Sequence, residues 1–401
     1  YIDKTIIFIS TTPMSSSYGE KLGFEWFMNE NVNTIFWDLT NIFFPTKKIN
    51  GYFSGSSNYR HVFKNHEIFY TKKQVIHDPR LKSNDFVFCI IDFLHTDQYW
   101  LLRHFKINNA QYFTQPMTTP VLLSKASKVN FFKKVITKIK VKSFFKTVGK
   151  VLFNSYLQTK IFIYKNTNYY EKPFFSMGSG KLGFTYVSEI TQTQRFINVP
   201  SPEYIWEPLP CIIDSEYVVY VDEAMVYSPD AILFGNRKSV LVNQSMFFEN
   251  LNNAFDLIED TLNIQIIVAA SNKYEYKDKN IFRNRKIIYN NTSRLIQNSN
   301  FVLGHKSQAL FQAVVDNKPL LLLTDKSMIS LKNNHIIGMS NILGVRYTPI
   351  NEMNADLLET VLNEKHDYSS VVEDYLCNVN NCNADWKVVA LTQIKETIRP
   401  F

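Results

Sequence analysis

This chain of 401 residues has few cysteines and no long apolar run. No run of roughly 18 apolar residues occurs, so the sequence predicts no membrane-spanning helix. By count and spacing, its four cysteines do not indicate a disulfide framework. Cys377 and Cys382 also lack the spacing and the histidine partners of a zinc site. The expected compartment is therefore a reducing cytoplasm.

The chain contains enough apolar material for two folded domains. Hydrophobic residues make up 45% of it, and one domain usually takes roughly 100–200 residues. The sequence shows no internal repeat. We therefore expect two globular domains, each with a core of its own.

Positive charge is concentrated in one segment, Lys125 to Lys150, which holds nine lysines and no acidic residue. Phenylalanine and isoleucine residues are interleaved with these lysines. Such a basic amphipathic segment is typical of proteins that rest on anionic lipid headgroups. A solvated basic face over an ordinary core helix is the alternative. Nucleic acid is disfavoured as a partner, because no zinc finger, helix-turn-helix or RNA-recognition motif accompanies the charge.

Apolar runs alternate with helix-length segments from Lys238 to Asp325. The pattern predicts strands over Ser239 to Ser245, Ile264 to Ser271 and Phe301 to Leu303, with a fourth in PLLLLTD. The segment FFENLNNAFDLIEDTL is predicted to be a helix. Strands that alternate with helices form parallel sheets, and both faces of such sheets are covered by helices.

The loop after the third of these strands is the strongest candidate for an anion site. It reads Gly304, His305, Lys306, Ser307, and a helix is predicted to begin at Ser307 or Gln308. Unpaired N–H groups at a helix start attract phosphate, and loops at the carboxyl ends of parallel strands bind ligands. We therefore predict that this loop binds a nucleotide phosphate. The alternative is that Ser307 only caps the helix and His305 is a surface histidine.

Three polar residues at the ends of the neighbouring predicted strands extend this site. Asn243 and Gln244 end the first predicted strand, and Ser271 ends the second. Because carboxyl ends of parallel strands share one edge of a sheet, all three are predicted to contact the nucleotide or its partner substrate.

The first half reads as a second α/β domain. Strands are predicted in TIIFIST, VNTIFWDL, FVFCIIDF and NAQYFTQ, with helices in LGFEWFMNEN and from about Thr96 to Phe105. Ser10, Thr11, Thr12 and the run Ser15 to Ser17 follow the first strand and could contact a ligand. Turns and caps are the commoner use of such residues. Residues 164–210 show no clear period and are predicted to be irregular.

Carboxylates cluster between Glu216 and Asn236. The predicted strand YVVYV ends in Asp222 and Glu223, and Asp230 follows Pro229. A carboxylate in a cleft can act as a general base or as a nucleophile. We expect Asp230 to take this role, on a loop whose backbone the proline fixes, with the acidic pair as alternates. The structural alternative is that Asp230 is a turn or cap residue.

The order of these features resembles bacterial transferases that use CMP-activated keto-sugars, namely the GT-B sialyltransferases and the Kdo transferases. The shared features are VDE followed by PD, VLVNQS, and a strand-loop-helix with Ser307 at the helix start before ALFQAVVDNKP. Asp222-Glu223-Ala224 is similar to the acidic pair plus glycine of these families, with alanine in place of glycine. Their His-Pro motif is absent, because Ala270-Ser271-Asn272 stands there. The whole is most similar to the β-Kdo transferase domain of O-antigen enzymes, glycosyltransferase family 99.

That resemblance implies an α/β protein of the GT-B fold, in which two Rossmann-like domains face a cleft. Residues 1–215 would form the acceptor-binding domain and residues 216–375 the nucleotide-sugar-binding domain. Residues 376–401 would form a helix that crosses back onto the first domain.

The implied activity is retaining transfer of Kdo from CMP-Kdo to a glycan acceptor, such as lipid-linked O-antigen, with Asp230 as nucleophile. His305, Lys306, Ser307 and Gln308 would bind CMP, and Arg283, Arg285 and Arg294 are candidates to pair with the Kdo carboxylate. No Asp-x-Asp motif occurs in the chain, so neither a metal nor another cofactor is expected.

The protein would act in the cytoplasm, peripherally on the inner face of the inner membrane. Two alternatives stay open. One is a GT-B enzyme with another donor, either CMP-sialic acid or a UDP- or GDP-sugar. The other is a non-catalytic module that binds membrane or glycan.

Overall fold

The protein is described by a computed structural model. It describes residues 4–14, 19, 22–53, 65–91, 98–115, 159, 163–164, 167, 169–183, 193, 195–235, 237–377 and 385–397. The basic segment Lys125 to Lys150 and the run Ser15 to Ser17 lie outside these residues.

The first half of the chain forms a seven-stranded sheet in which all neighbouring strands are parallel. The strands are β1 (Thr5–Ser10), β2 (Thr34–Asp38), β3 (His66–Ile68), β4 (Phe86–Ile90), β5 (Tyr112–Thr114), β6 (Phe175–Gly178) and β7 (Phe196–Asn198). Their order is β3-β2-β1-β4-β5-β6-β7. The chain therefore builds the sheet outward from β1 to β3 on one side, and then from β4 to β7 on the other side.

Helices cover both faces of this sheet because its central strands are apolar on both sides. They are α1 (Phe24–Asn29), α2 (Thr40–Phe43), α3 (Thr46–Phe53), α4 (Lys72–Ile76) and α5 (Tyr99–Asn108), with a 3-10 turn at Pro79–Lys82. In β1, Ile6 and Phe8 belong to one buried cluster, while Ile7 and Ile9 belong to another. This alternation is the two-residue period of a strand, and it produces one core on each face.

The second half forms a six-stranded sheet, again with all neighbouring strands parallel. The strands are β8 (Tyr217–Val221), β9 (Gln265–Ala269), β10 (Lys286–Ile288), β11 (Phe301–Gly304), β12 (Leu320–Thr324) and β13 (Tyr347–Pro349). Their order is β10-β9-β8-β11-β12-β13. This is the doubly wound order of Rossmann-like domains.

The helices of this half are α6 (Pro229–Gly235), α7 (Gln244–Leu262), α8 (Thr292–Gln297), α9 (Phe311–Val315), α10 (Ser330–Leu343) and α11 (Ala355–Asn363). Short 3-10 turns lie at Lys279–Phe282, Gln308–Leu310 and Ile350–Glu352. The longest of these helices, α7, is capped by Asn243, whose side chain accepts from the N–H of Met246. It buries Phe247, Leu251 and Phe255 against the sheet, so one face of the helix closes the core.

The chain then crosses back to the first domain. After α12 (Ser369–Val371) comes one π-helical turn, Val372–Leu376, and later α13 (Trp386–Thr397). From α13, Ala390, Leu391 and Ile394 pack into the core of the first sheet. The C-terminal helix therefore lies on the first domain.

A second contact between the domains joins α3 and α6. The Nζ atom of Lys48 donates to the carbonyl of Leu233 at 3.0 Å. The rings of Phe44 and Phe234 meet edge to face, with centroids 5.5 Å apart. The helix that carries Asp230 thus contacts the first domain directly.

The α/β class with two parallel sheets is confirmed, and so are the strands predicted in YVVYV, IQIIVAAS and PLLLLTD. The strand predicted over Ser239 to Ser245 is wrong. Only one antiparallel bridge, from Leu241 to Met328, occurs there, and Val242 is 73% exposed. An apolar run that lies on the surface cannot be distinguished from a buried strand by its composition.

The irregular structure predicted for residues 164–210 is also wrong in part, because β6 and β7 lie within it. These strands have four and three residues. Segments so short show no period in the sequence, so only their place in the sheet reveals them.

The cysteines differ from one another. Cys89 and Cys211 are free thiols, whereas Cys377 is disulfide-bonded. The cysteine count alone did not predict that bond.

Among the residues that the structure describes, no helix combines the length and the apolar character needed to cross a membrane.

Candidate functional site

The site lies where the second sheet changes direction, between β8 and β11. From β8 the chain builds outward through β9 and β10, and from β11 it builds the opposite way through β12 and β13. The helices at such a point leave to opposite faces, so a crevice opens beyond the carboxyl ends of the two strands. Asp222 and Glu223 follow β8, and His305 and Lys306 follow β11. The structure therefore brings these four predicted residues to one edge of the sheet.

Glu223 bridges the crevice. One carboxylate oxygen accepts from the backbone N–H of Lys306, and the other accepts from the ammonium of Lys332. Burial acts to raise the pKa of Glu223, but the charge of Lys332 and these hydrogen bonds outweigh it. The pKa of Glu223 is therefore lowered, and the carboxylate stays ionised.

Asp222 points into the domain instead. Its side chain is buried, and it accepts from the hydroxyl of Tyr276 at 2.9 Å and from the N–H of Ala224 at 3.1 Å. Ala224 has a φ of 55°, a left-handed conformation that turns its N–H toward the carboxylate. Burial raises the pKa of Asp222 to about 6, even though the hydrogen bonds from Tyr276 and the backbone oppose that rise.

His305 lies in the core below the site. Its ring is fully buried, with Nδ1 donating to the carbonyl of Leu323 at 2.6 Å and Nε2 accepting from the hydroxyl of Tyr220 at 2.8 Å. A carbonyl can only accept, so the proton of the neutral ring belongs on Nδ1. Burial lowers the pKa of His305 to about 4. In this structure both ring nitrogens are engaged, so His305 is not a surface histidine; it supports the loop from beneath.

Ser307 caps the segment that follows, as predicted, with its hydroxyl accepting from the N–H of Ala309 at 3.3 Å. That segment is a single 3-10 turn, Gln308–Leu310, followed by the five-residue helix α9. Because so short a helix carries little dipole, attraction for an anion must come from individual donors here. Gln308 offers one such donor, since its Nε2 is buried without a hydrogen-bond partner.

Two basic side chains of the site were not among the predictions. Lys332 and His335 lie in the first turns of α10, which follows β12. Burial, together with the charges of Lys306 and Lys332, lowers the pKa of His335. Burial and the charge of Lys332 likewise lower the pKa of Lys306. The sequence signal was available: Lys332 and His335 stand three residues apart, on one helix face, after the strand PLLLLTD.

Asp230 lies on a helix and not on a loop. It is the second residue of α6, and the hydroxyl of Ser228 accepts from the N–H of Ala231, so Ser228 rather than Asp230 serves the start of the helix. The Asp230 side chain is 54% exposed and pairs with the ammonium of Lys273 at 2.7 Å. Proline favours the first position of a helix, which explains why Pro229-Asp230 begins one here.

The remaining predicted nucleotide-binding residues spread along the same edge. Ser271 follows β9, where its hydroxyl accepts from the N–H of Lys273 at 3.3 Å. Asn243 and Gln244 are exposed at the start of α7, and the Nε2 of Gln244 donates to the carbonyl of Val226 at 3.2 Å. These two residues lie at the start of α7, and not at the end of a strand as predicted.

Two of the three candidate arginines lie elsewhere. Arg283 and Arg285 immediately precede β10, at the amino edge of the sheet. Both pair with Asp256 of α7, and Arg285 also pairs with Glu259. They therefore tie a helix to the sheet on the side opposite Glu223. Arg294 lies in α8, a helix that precedes β11.

A glycine-rich turn in the first domain was overlooked in the sequence. Gly178 to Gly183 has the GxGxxG spacing and follows β6, the context in which such turns hold phosphates. Here the crossing segment occupies it. The hydroxyl of Ser179 donates to the carbonyl of Tyr375 at 3.0 Å, and Lys181 pairs with Glu373 at 2.7 Å. Gly180 has a φ of +65° beneath this contact, so the turn serves domain docking.

The edge of the first sheet carries the other predicted polar residues. The hydroxyl of Ser10 donates to the carbonyl of Thr12 at 2.8 Å, and the hydroxyl of Thr11 accepts from Gln98 at 2.8 Å. Ser10 and Thr11 are buried. These bonds shape the loop after β1, as turn residues do.

Within the described ranges, no group of three or more histidine, cysteine, aspartate or glutamate side chains is arranged to hold a metal ion.

Two parallel-sheet domains of Rossmann-like order, joined by a C-terminal helix that packs back on the first, define the GT-B fold. Solved structures of the wall teichoic acid polymerase TagF have this fold. The H444N variant matches with a TM-score of 0.52 and 13% identity, over 99% of this chain and 90% of that chain. The same variant soaked with CDPG matches with a TM-score of 0.51 and 14% identity, over the same shares. The H548A variant gives 0.52 and 12%, again over 99% and 90%.

At these identities the likeness concerns the fold. Neither a protein family model nor a curated protein matches this sequence.

Proposed function

We propose that this protein is a glycosyltransferase that takes its sugar from a nucleotide-activated donor. One observation carries the proposal: Glu223, the backbone N–H of Lys306 and the ammonium of Lys332 converge at the switch point of the second sheet. Donors of this kind present phosphate, and an edge with converging N–H groups and ammonium groups matches phosphate chemistry. The GT-B fold supports the same reaction class by analogy alone.

For the donor we propose CMP-Kdo, with a glycan as acceptor in bacterial surface polysaccharide assembly. The support is the sequence resemblance around Asp222-Glu223-Ala224 and Ser307. Lys306, Ser307, Gln308, Asn243, Gln244 and Ser271 would contact the nucleotide. His305 would act through the loop, because its ring is buried. Lys306 and His335 replace the arginines before β10 as candidates to pair with the Kdo carboxylate.

Among the three candidate carboxylates, Asp230 has the access that a nucleophile needs. Asp222 is buried against Tyr276, and Glu223 is 15% exposed in its pair with Lys332, whereas Asp230 is 54% exposed. Asp230 also sits on the helix that contacts the first domain. Access to solvent therefore favours Asp230 over the other two carboxylates.

The proposed reaction has two displacements. The Asp230 carboxylate bonds to the anomeric carbon while CMP leaves with the electron pair of the glycosidic C–O bond. An acceptor hydroxyl then attacks the same carbon, the bond to Asp230 breaks, and the hydroxyl proton passes to solvent or to a nearby base. Two inversions at one carbon retain its configuration.

The acceptor would lie against the first domain. A lipid-linked acceptor would bring the protein to the inner face of the cytoplasmic membrane, as the basic character of Lys125 to Lys150 suggests. No metal and no cofactor are part of the proposal, because the leaving group of CMP-Kdo carries a single phosphate that cationic side chains can stabilise.

A second donor class is favoured by one specific observation. Lys306 and Lys332 bring two positive charges to this edge, and Glu223 neutralises one of them. A diphosphate would use that excess more fully than a monophosphate. A GT-B transferase with a UDP- or GDP-sugar is therefore the second candidate.

Calorimetric titration with CMP, UMP, UDP and GDP separates the candidates. CMP as the tightest ligand is the expected result, while tighter binding of UDP or GDP would move the assignment to a diphosphate donor. No binding of any of the four nucleotides would contradict the transferase proposal and favour a non-catalytic module.

A further inference from the structure

Glu223 occupies the position that an anion would take. Its carboxylate accepts from two donors that belong to different strand-ending segments, the N–H of Lys306 after β11 and the ammonium of Lys332 in α10 after β12. Carboxylate and phosphate oxygens accept from the same donors. The pair is nearly closed to solvent, since the Lys332 side chain is 13% exposed and that of Glu223 is 15% exposed. While Glu223 holds these donors, its own oxygens occupy the place where another anion would bind.

The pocket keeps positive charge after Glu223 is counted. Burial and the nearby charge of Lys332 lower the pKa of the Lys306 ammonium. His335 experiences both lysines in the same way. One carboxylate carries one negative charge, whereas a terminal phosphate carries about 1.5 to 2 near neutral pH. A phosphate would therefore neutralise the pocket better than Glu223 does.

We propose that Glu223 is an internal occupant of the phosphate site formed by Lys306 and Lys332, and that a bound phosphate displaces it. The inference rests on the proposed function where it places the donor phosphate at this edge of the sheet. Displacement exchanges one anion for another on the same two donors, the backbone N–H of Lys306 and the ammonium of Lys332. Glu223 thereby sets specificity: it rejects neutral ligands, and a phosphate competes with it through its charge and its larger number of acceptor oxygens.

Inorganic phosphate and pyrophosphate are the probes, because they carry neither base nor sugar. Calorimetry on the full chain should give tighter pyrophosphate binding in Glu223→Gln than in wild type, by about tenfold, since an uncharged amide competes poorly for Lys332. Lys332→Gln should weaken binding by about tenfold or more, because it removes a donor. Glu359→Gln, at an exposed position of α11, changes the net charge of the protein by the same amount as Glu223→Gln and should leave the affinity for pyrophosphate unchanged.

Equal or weaker pyrophosphate binding in Glu223→Gln would overturn the proposal, since it would mean that Glu223 positions Lys332 and does not compete for it. Removal of a buried ion-pair partner can also unfold a protein. Glu223→Asp avoids this problem, because it keeps the negative charge and shortens the side chain by one methylene. This variant should bind pyrophosphate several-fold tighter than wild type. Wild-type affinity in that variant would count against the proposal.

The result is separable from the test of the transferase function. Pyrophosphate that binds tighter in Glu223→Gln, with no nucleotide binding, would support the anion site and contradict the transferase. Nucleotide binding with no gain in Glu223→Gln would do the reverse.

Discussion

Glu223, at the end of β8, accepts a hydrogen bond from the backbone N–H of Lys306, at the end of β11. These two strands flank the point where the second sheet changes direction, so a single carboxylate joins both walls of the crevice. Its neighbour Asp222 turns inward to Tyr276. Two adjacent acidic residues thus have separate tasks, because successive residues after a strand face opposite sides.

Asp222→Asn should change how stability depends on pH. The folded pKa of Asp222 is raised to about 6, above the unfolded value of about 3.9. The contribution of this group is therefore fully present below about pH 4 and is lost as pH rises through about 6. Relative to wild type, Asp222→Asn should gain on the order of 1–3 kcal/mol in free energy of unfolding between pH 4 and 6. Urea unfolding across that range measures it.

His305 supplies an opposing trend in wild type. The folded pKa of His305, about 4, is below the unfolded value of about 6.5. The contribution of this group to the free energy of unfolding is therefore lost as pH falls from about 6.5 to about 4. The matched control is Asp260→Asn, at an exposed position of α7, which should keep the wild-type pH slope. A constant difference between Asp222→Asn and wild type from pH 4 to 6 would refute the assignment.

Gly180→Ala should weaken the docking of the crossing segment. Gly180 has a φ of +65°, and an added Cβ would lie 2.6 Å from the backbone nitrogen of Tyr375 and clash with the carbonyl of Asp374. A left-handed alanine alone costs roughly 1–2 kcal/mol, and the clash adds to it. We expect a loss of about 2–4 kcal/mol in thermal or urea unfolding.

Gly338→Ala is the matched control for Gly180. Gly338 lies in α10 with open space where a Cβ would go, so alanine should be neutral or stabilise by about 0.5–1 kcal/mol. If both variants unfold like wild type, the glycine-rich turn does not hold the domains together.

Much of the second domain could be predicted from the sequence because its central strands are continuous apolar runs that alternate with helix-length segments. The loop after β11 and the acidic residues after β8 were located correctly by their place at strand ends. Lys332 was missed because α10 has too little amphipathic pattern to stand out, and its pairing with Glu223 is a contact between residues 109 positions apart. The inward orientation of His305 could not be predicted, since it depends on a hydrogen bond with the hydroxyl of Tyr220, 85 residues earlier in the chain.

Ser307→Ala should weaken CMP binding by about 1–3 kcal/mol, the usual loss of a hydrogen bond to a charged group. Ser307→Thr keeps the hydroxyl and should restore binding. Calorimetry with CMP is the measurement, and wild-type affinity in a folded Ser307→Ala variant would remove this hydroxyl from the site.

His305→Ala should act mainly on stability. It leaves the hydroxyl of Tyr220 and the carbonyl of Leu323 buried without their partner, at a cost of about 2–4 kcal/mol in free energy of unfolding. CMP binding should weaken only through distortion of the loop. A stable His305→Ala variant that has lost CMP binding would instead mean that the ring contacts the nucleotide.

The basic segment Lys125 to Lys150 should bind acidic lipid vesicles, with affinity that falls steeply as salt rises, because exposed charges are screened. Co-sedimentation measures it. Glutamine at Lys133, Lys134, Lys138 and Lys140 should abolish binding. Glutamine at four exposed lysines elsewhere, Lys82, Lys172, Lys277 and Lys365, should leave most of it. Binding that ignores salt and the first set of changes would exclude this segment as a membrane contact.

Asp230→Asn should bind CMP like wild type and lose Kdo transfer by about a thousandfold or more, because the amide cannot act as the nucleophile. Its stability should be nearly unchanged, since the exposed pair with Lys273 contributes roughly 1 kcal/mol at most. Lys273→Gln is the control: it breaks the same pair but should keep most of the activity.

The most direct measurement of the proposed reaction is intact-mass spectrometry of the wild-type protein incubated with CMP-Kdo and no acceptor. We predict release of CMP and one added Kdo, located by digestion on the peptide that contains Asp230 and absent from Asp230→Asn. An active Asp230→Asn beside an inactive Asp222→Asn or Glu223→Gln would assign the reaction to the acidic pair instead. No adduct, together with a product of inverted configuration once an acceptor is added, would contradict the double displacement and the role of Asp230 as nucleophile.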